Sequence, residues 1–156
     1  MIYFLTKRTD HDPIIYKTPK IAVCRDLEKV VEVLTHKVLD FDVEANAKKY
    51  HQTELLLVQI GTKELKVVID MTEPDHLKGW RQEVIDCFNL HITPQHLFLG
   101  HNLKYDYNVC TPYGFKLPDL FDTMIAEQRY NLGLGLTANY KDTYERRLQK
   151  FFPEDK

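Results

Sequence analysis

Long apolar runs are missing from this sequence. None approaches the roughly 18 to 20 residues needed to span a bilayer, and the stretch Met1 to Arg8 has neither the apolar core nor the cleavage site of a signal peptide. The expectation is a soluble, intracellular protein with no membrane attachment. Cysteine is scarce: Cys24, Cys87 and Cys110 stand alone, without CxxC or Cys/His spacing. That excludes a disulfide framework and a zinc site, and suits a reducing compartment. Gly/Ser linkers, low-complexity tracts and internal repeats are absent too, so nothing divides residues 1–156 and a single domain is expected. Excess charge of either sign is lacking. A formal net charge of -2 excludes a protein that holds phosphate chiefly through a broad basic surface.

What is present is a chain of 156 residues, 44% hydrophobic, long enough to bury one sizeable core. Short apolar runs, Ile2 to Leu5 and Ile21 to Cys24, precede an amphipathic stretch from Asp26 to His36. Leu27, Val30, Val31 and Leu34 recur there at helical spacing behind Asp26, a capping residue, which predicts a helix with one buried stripe. Three β-branched-rich runs, Lys37 to Glu44, Glu54 to Gly61 and Leu65 to Asp70, read as consecutive strands. A helix from about Asp75 to Leu90 follows, then a buried strand, Leu97 to Leu99, ending in Gly100. Beyond it, Asn102 to Cys110 reads as helix, Asp119 to Phe121 as a short strand, and Thr123 to Tyr130 and Thr137 to Phe151 as helices. A three-strand meander followed by helix-strand crossovers predicts an α/β fold with a mixed sheet flanked by helices.

Two segments carry candidate chemistry. In Val38-Leu-Asp-Phe-Asp-Val-Glu44 the strand period of two puts Val38, Asp40, Asp42 and Glu44 on one face and Leu39, Phe41 and Val43 on the other. Carboxylates at alternate positions repel one another, which calls for either solvent or a divalent cation. The bland reading is a strand end entering a solvated turn. The second segment is Gly100-His-Asn-Leu-Lys-Tyr-Asp106, where a strand gives way to a helix and Asn102 and Asp106 share a helical face. Asp106 would complete a three-carboxylate cup if the two segments converge. The bland readings are a surface aspartate and, for Asn102, a helix N-cap.

Phe-Asp42-Val-Glu44 and His-Asn102-Leu-Lys-Tyr-Asp106 resemble the first two motifs of the DEDD (DnaQ-like) 3'-5' exonuclease superfamily, which includes polymerase proofreading domains, ribonuclease D and the Werner-type exonucleases. The likeness runs from about Tyr16 to Phe152. It takes in Leu57-Val-Gln59-Ile, Val67-Val-Ile-Asp70 and Phe121-Asp-Thr123-Met-Ile-Ala. The resemblance implies a ribonuclease H-like fold and two bound ions, Mg2+ or Mn2+. Asp42 would bridge both ions and Glu44 and Asp106 would together hold one of the two, while activated water would attack the terminal phosphodiester in line. It also implies Asn102 as a residue that binds the substrate strand near its 3' end, and a structural part for His101. The expected partner is a single-stranded 3' end. DNA is favoured over RNA by the likeness of Tyr113 to Tyr130 to polymerase proofreading domains, and a polymerase or other replication or repair partner goes with that.

The sequence departs from the family in two places. The family's third motif, Tyr-x-x-x-Asp or His-x-x-x-x-Asp on a late helix, is not found: the fourth residue after Tyr140 is Tyr144, and Asp142 is the only nearby aspartate that could substitute. The domain is therefore expected to be C-terminally incomplete. After Glu44 the family's usual Thr and nearby apolar residue are replaced by Ala45 and Lys48. That alters the grip on the terminal nucleotide and leaves Lys48 and Lys49 for phosphate or for solvent. Arg146, Arg147 and Lys150 form a basic stripe open to the same two readings. Two alternatives stay beside the active exonuclease: a catalytically silent module of this fold that binds nucleic acid or a protein, and a generic α/β domain with an accidental acidic strand end.

Overall fold

The structure, a computed structural model, describes residues 1–10, 20–46 and 53–133. In chain order these form β1 (Ile2–Leu5), β2 (Ile21–Cys24), α1 (Glu28–Val33), β3 (Val38–Asn46), β4 (Glu54–Gly61), β5 (Lys66–Asp70), α2 (Trp80–His91), β6 (Leu97–Gly100), α3 (Leu103–Cys110), β7 (Asp119–Asp122) and α4 (Thr123–Gly133). Short 3-10 turns occupy Asp75–Leu77 and Thr111–Tyr113. The expected helix Thr137 to Phe151, and with it Tyr140, Asp142, Tyr144 and the basic stripe, lies outside the described residues, as does the Lys48-Lys49 pair.

The strands form one mixed sheet in the order β2-β1-β5-β4-β3-β6-β7. β3, β4 and β5 are the expected antiparallel meander. The later strands add in parallel on one side, β6 to β3 and β7 to β6. On the other side β1 pairs in parallel with both β5 and β2. This is the ribonuclease H-like α/β arrangement that the motifs implied.

Alternation along β3 is as the sequence predicts. Leu39, Phe41 and Val43 are buried, and Val38, Asp40, Asp42 and Glu44 are exposed. The buried side packs against an aromatic line that ties the sheet to α2: Phe41 to Phe98 at 5.2 Å, Phe98 to Phe88 at 5.9 Å, and Phe88 to Phe115 at 5.1 Å between ring centroids. Each such ring contributes roughly 1.5 to 3 kcal/mol through burial, so β3 rests on a stiff support. His96, fully buried, fastens the start of β6. Its Nε2 lies 3.0 Å from the carbonyl of Leu34, and Nδ1 accepts from the N–H of Thr93 at 2.9 Å.

Two helices differ from expectation. α1 is shorter than Asp26 to His36 and buries Val30, Val33 and Leu34, with Val31 only half-buried. The N-cap position falls to Leu27, with no side-chain capping bond; Asp26, the expected cap, lies one residue earlier, where its Oδ1 accepts the N–H of Glu28 at 3.0 Å. The stretch Asp75 to Leu90 is not one helix, because Gly79 adopts φ +91° between the 3-10 turn and α2. Glu73 Oε1 then accepts the N–H of Gly79 (2.6 Å) and of Arg81 (3.3 Å), satisfying the helix start from outside the helical sequence.

Gly100, the last residue of β6, has no room for a side chain. A Cβ there would lie 2.6 Å from the carbonyl oxygen of Phe41 and 2.4 Å from Leu103 Cδ2. Gly100→Ala is therefore expected to destabilise the chain by about 1 to 3 kcal/mol in urea unfolding, the usual penalty of overpacking. Gly133→Ala, with nothing among the described residues within 4 Å of the added Cβ, is expected to stay within about 1 kcal/mol of the parent. Equal effects of the two substitutions would contradict this account of the β6 end.

Candidate active site

The closeness of β6 to β3 at Gly100 determines what happens next along the chain. β6 pairs with β3 only through Val38, Leu39 and Asp40. Beyond Asp40 the chain that built β6 has turned into α3, and the N–H of Val43 is taken by Asp106 Oδ1 from that helix, at 2.9 Å. A carboxylate thus occupies the backbone position where a longer strand would have continued the ladder. Val43 stands between Asp42 and Glu44, so this bond fastens the third candidate carboxylate to the strand that carries the other two.

The turn before α3 is held just as closely. Asn102 sits at φ +63°, a left-handed conformation that Asn tolerates better than most residues. It occupies the N-cap position but makes no side-chain capping bond. The sequence thus marked the right boundary, though its backbone conformation and not side-chain capping is what calls for Asn. The N–H of Asn102 donates instead to Asp122 Oδ1 (2.9 Å), which also accepts the N–H of Met124 at the start of α4 (2.9 Å). His101 has the structural part expected of it: its Nδ1 lies 3.0 Å from Thr123 Oγ1, which donates to the carbonyl of Gly100 at 2.9 Å. The Asp122-Thr123 pair is therefore the clamp on the second motif. The sequence offered Phe121-Asp-Thr123 as a family-like run but no role for it.

Among the expected site residues, Asp42 and Glu44 are exposed on β3, Asn102 is exposed at the head of α3, and Asp106 is only 3% exposed. Asp42 Oδ2 accepts a hydrogen bond from Gln59 Nε2 on β4, at 3.0 Å. An open cavity of about 530 Å³ runs beside Asp42, lined in part by Asp40, Gln59, Lys66, Gly100 and His101. Among the described residues no three His, Cys, Asp or Glu side chains are gathered closely enough to form a ready-made metal cage.

Burial is the largest influence on Asp106 and pushes its carboxyl above the ordinary aspartate value; the nearby charges of Asp42 and Asp122 push the same way, against the hydrogen bond from Val43. The donor set therefore fits a hard divalent cation. It consists of carboxylate oxygens alone, and a cation would offset both the burial and the lesser repulsion that disfavour the ionised form of Asp106.

A carboxyl whose folded pKa lies above its unfolded value costs stability as pH rises through that interval, and the penalty is fully present above it. Asp106→Asn keeps an oxygen to accept the Val43 N–H and removes the charge. In EDTA the variant is expected to have a higher unfolding midpoint than the parent at pH 7, with the gain shrinking as pH falls through the raised pKa of Asp106 and gone below the ordinary aspartate pKa. Urea titrations at several pH values check this, and a gain that does not change with pH would contradict it.

A family model described as 3'-5' exonuclease matches residues 20–151. No curated protein matches the sequence. Among solved structures the chain resembles the catalytic core of RRP6 from Trypanosoma brucei, with 21% identity and a TM-score of 0.56 over 88% of this chain and 32% of that one. It also resembles Trypanosoma brucei RNase D in its GMP complex, with 15% identity and a TM-score of 0.55 over 81% of this chain and 35% of that one. For the Nibbler EXO domain of Aedes aegypti the identity is 11% and the TM-score 0.53, over 81% of this chain and 55% of that one. These likenesses are of fold, and the chain spans about a third of the RRP6 core. With most of its length matched, and both acidic motifs inside the matched segment, the chain belongs to the 3'-5' exonuclease family.

Proposed function

We propose that this chain removes nucleotides from single-stranded 3' ends of nucleic acid, with Asp42, Glu44 and Asp106 holding two divalent ions, Mg2+ or Mn2+. The observation that carries this reading is the bond from Val43 N–H to Asp106 Oδ1, which joins the two acidic motifs through a single backbone group. Divalent ions bound at such carboxylates polarise the phosphodiester and make water a nucleophile near neutral pH. The protein's part is to hold these carboxylates where charge develops, two of them on a strand paired there with β4 and the third bonded to that strand from α3. The 530 Å³ cavity beside Asp42 is within the range of small-molecule sites, which suits a terminal nucleotide. Asn102, exposed and without a capping bond, is the residue proposed to contact the strand near its end.

DNA is favoured over RNA as the substrate, on the likeness of Tyr113 to Tyr130 to polymerase proofreading domains, and a polymerase or repair partner belongs to the same proposal. The Trypanosoma brucei RNase D structure with RNA U12 gives reason to test RNA alongside. The second reading, a silent module of the same fold, draws on the absence among the described residues of three gathered metal-ligating side chains.

The test is a 5'-labelled single-stranded oligonucleotide, DNA and RNA in parallel, incubated with the chain and Mg2+ or Mn2+. The expected result is a ladder shortening from the 3' end, faster on DNA, abolished by EDTA and reduced at least about a hundredfold by Asp42→Ala or Asp106→Ala, a loss of some 2.7 kcal/mol in transition-state stabilisation. A folded chain that binds Mn2+ but gives no ladder would favour the silent module.

A further inference from the structure

The carboxylates at alternate positions on the open face of β3 have different cross-strand neighbours. Opposite Asp40 stands Gly61 on β4, and Gly61 is in turn paired with Lys66 on β5. Gly61 leaves the way clear, since a Cβ there would come within 3.0 Å of Lys66 Cγ. Lys66 reaches across it and brings Nζ to 3.6 Å from Asp40 Oδ2. Opposite Asp42 stands Gln59, whose amide Nε2 donates to Asp42 Oδ2 at 3.0 Å. Two carboxylates on one face of one strand thus have contrasting partners, an ammonium for Asp40 and a neutral amide for Asp42.

The contrast matters for a cation. An ammonium beside a carboxylate competes with a metal ion for the same oxygens and repels it. A neutral amide fixes one oxygen by a hydrogen bond, leaves the full negative charge in place and leaves the second oxygen open. Asp42 also needs such a restraint more than an isolated aspartate would. Asp40 and Glu44 flank it on the same face, and it is close enough to Asp106 for its charge to influence that carboxyl. Mutual repulsion favours swinging an unrestrained Asp42 out to solvent. Gln59 is well placed to prevent this, because β4 is hydrogen-bonded to β3 on one side and β5 on the other, so the amide is delivered from a fixed backbone.

We propose that Gln59 is a positioning residue that presents the Asp42 carboxylate, oriented and uncompensated, to a divalent cation, while Lys66 keeps Asp40 out of that role. The proposal rests on the reading of Asp42 as a metal-holding residue. Groups that hydrogen-bond to a metal's ligands typically account for 10- to 100-fold in affinity, and Gln59 is assigned an effect of that size.

The test is Mn2+ binding to the full chain by calorimetry, without substrate, with circular dichroism to confirm folding. Gln59→Leu removes the donor and is expected to weaken Mn2+ binding about 10- to 100-fold. Gln59→Lys replaces the amide with a cation and is expected to weaken it at least as much, and it carries the test alone if the leucine variant does not fold. Lys66→Met is expected to leave affinity unchanged or raise it by at most about fivefold, the most that an exposed ion pair is worth. Parent affinity within about twofold in both Gln59 variants, with binding still lost in Asp42→Ala, would overturn the role of Gln59 and leave the metal site standing. No Mn2+ binding by the parent chain would overturn the metal site, and Gln59's role with it.

Discussion

A single hydrogen bond, from the N–H of Val43 to the carboxylate of Asp106, is the constraint around which the site is organised. It exists because β6 stops short: its pairing with β3 ends at Asp40, and the chain bends away at a residue that tolerates no Cβ. The strand that gives up a partner on that side gains a carboxylate in its place. Much of the surrounding structure keeps this arrangement in register. The Phe41, Phe98, Phe88 and Phe115 line supports the two strands from below, and His96 secures the start of β6. Asp122 and Thr123 hold the turn between β6 and α3.

The buried carboxylate carries an electrostatic liability. Asp106 is removed from water and close to other carboxylates, an unfavourable environment for its ionised form. A protein built only for stability would place an amide or an apolar side chain there, and keeping an acid at such a position is characteristic of functional sites. Exposed Asp42 and Glu44 bear far less of this burden, since water screens them. The site therefore combines one carboxylate fixed by the fold with others still open to solvent.

Local regularities in the sequence were the easiest to read. The period of two assigned every residue from Val38 to Glu44 to the correct face, because burial of Leu39, Phe41 and Val43 leaves no other register. The meander and the placing of Asp106 near the acidic strand were legible for the same reason: they follow from short connections and from motifs at strand ends. Features that depend on backbone conformation or distant partners were not legible. The break at Gly79 arises from a positive φ that the helical periodicity of Asp75 to Leu90 conceals. Asn102 marked a helix boundary, but its left-handed backbone was not apparent. The parts played by Gln59 and Asp122 depend on cross-strand register and on a turn closed by residues some 20 positions apart, and no local pattern encodes either.

The position of β1 affects how the molecule is divided into parts. The family match begins at residue 20, which leaves Ile2–Leu5 outside it, yet that strand is interior to the sheet, with β5 on one side and β2 on the other. A cut at the boundary drawn by sequence likeness would remove the middle of a three-strand parallel set and strand β2 without its neighbour. The same placement makes assembly of this flank strongly non-local. Ile2 must find Lys66, so β1 is committed only after β5 has emerged, and β2 has no place in the sheet until then.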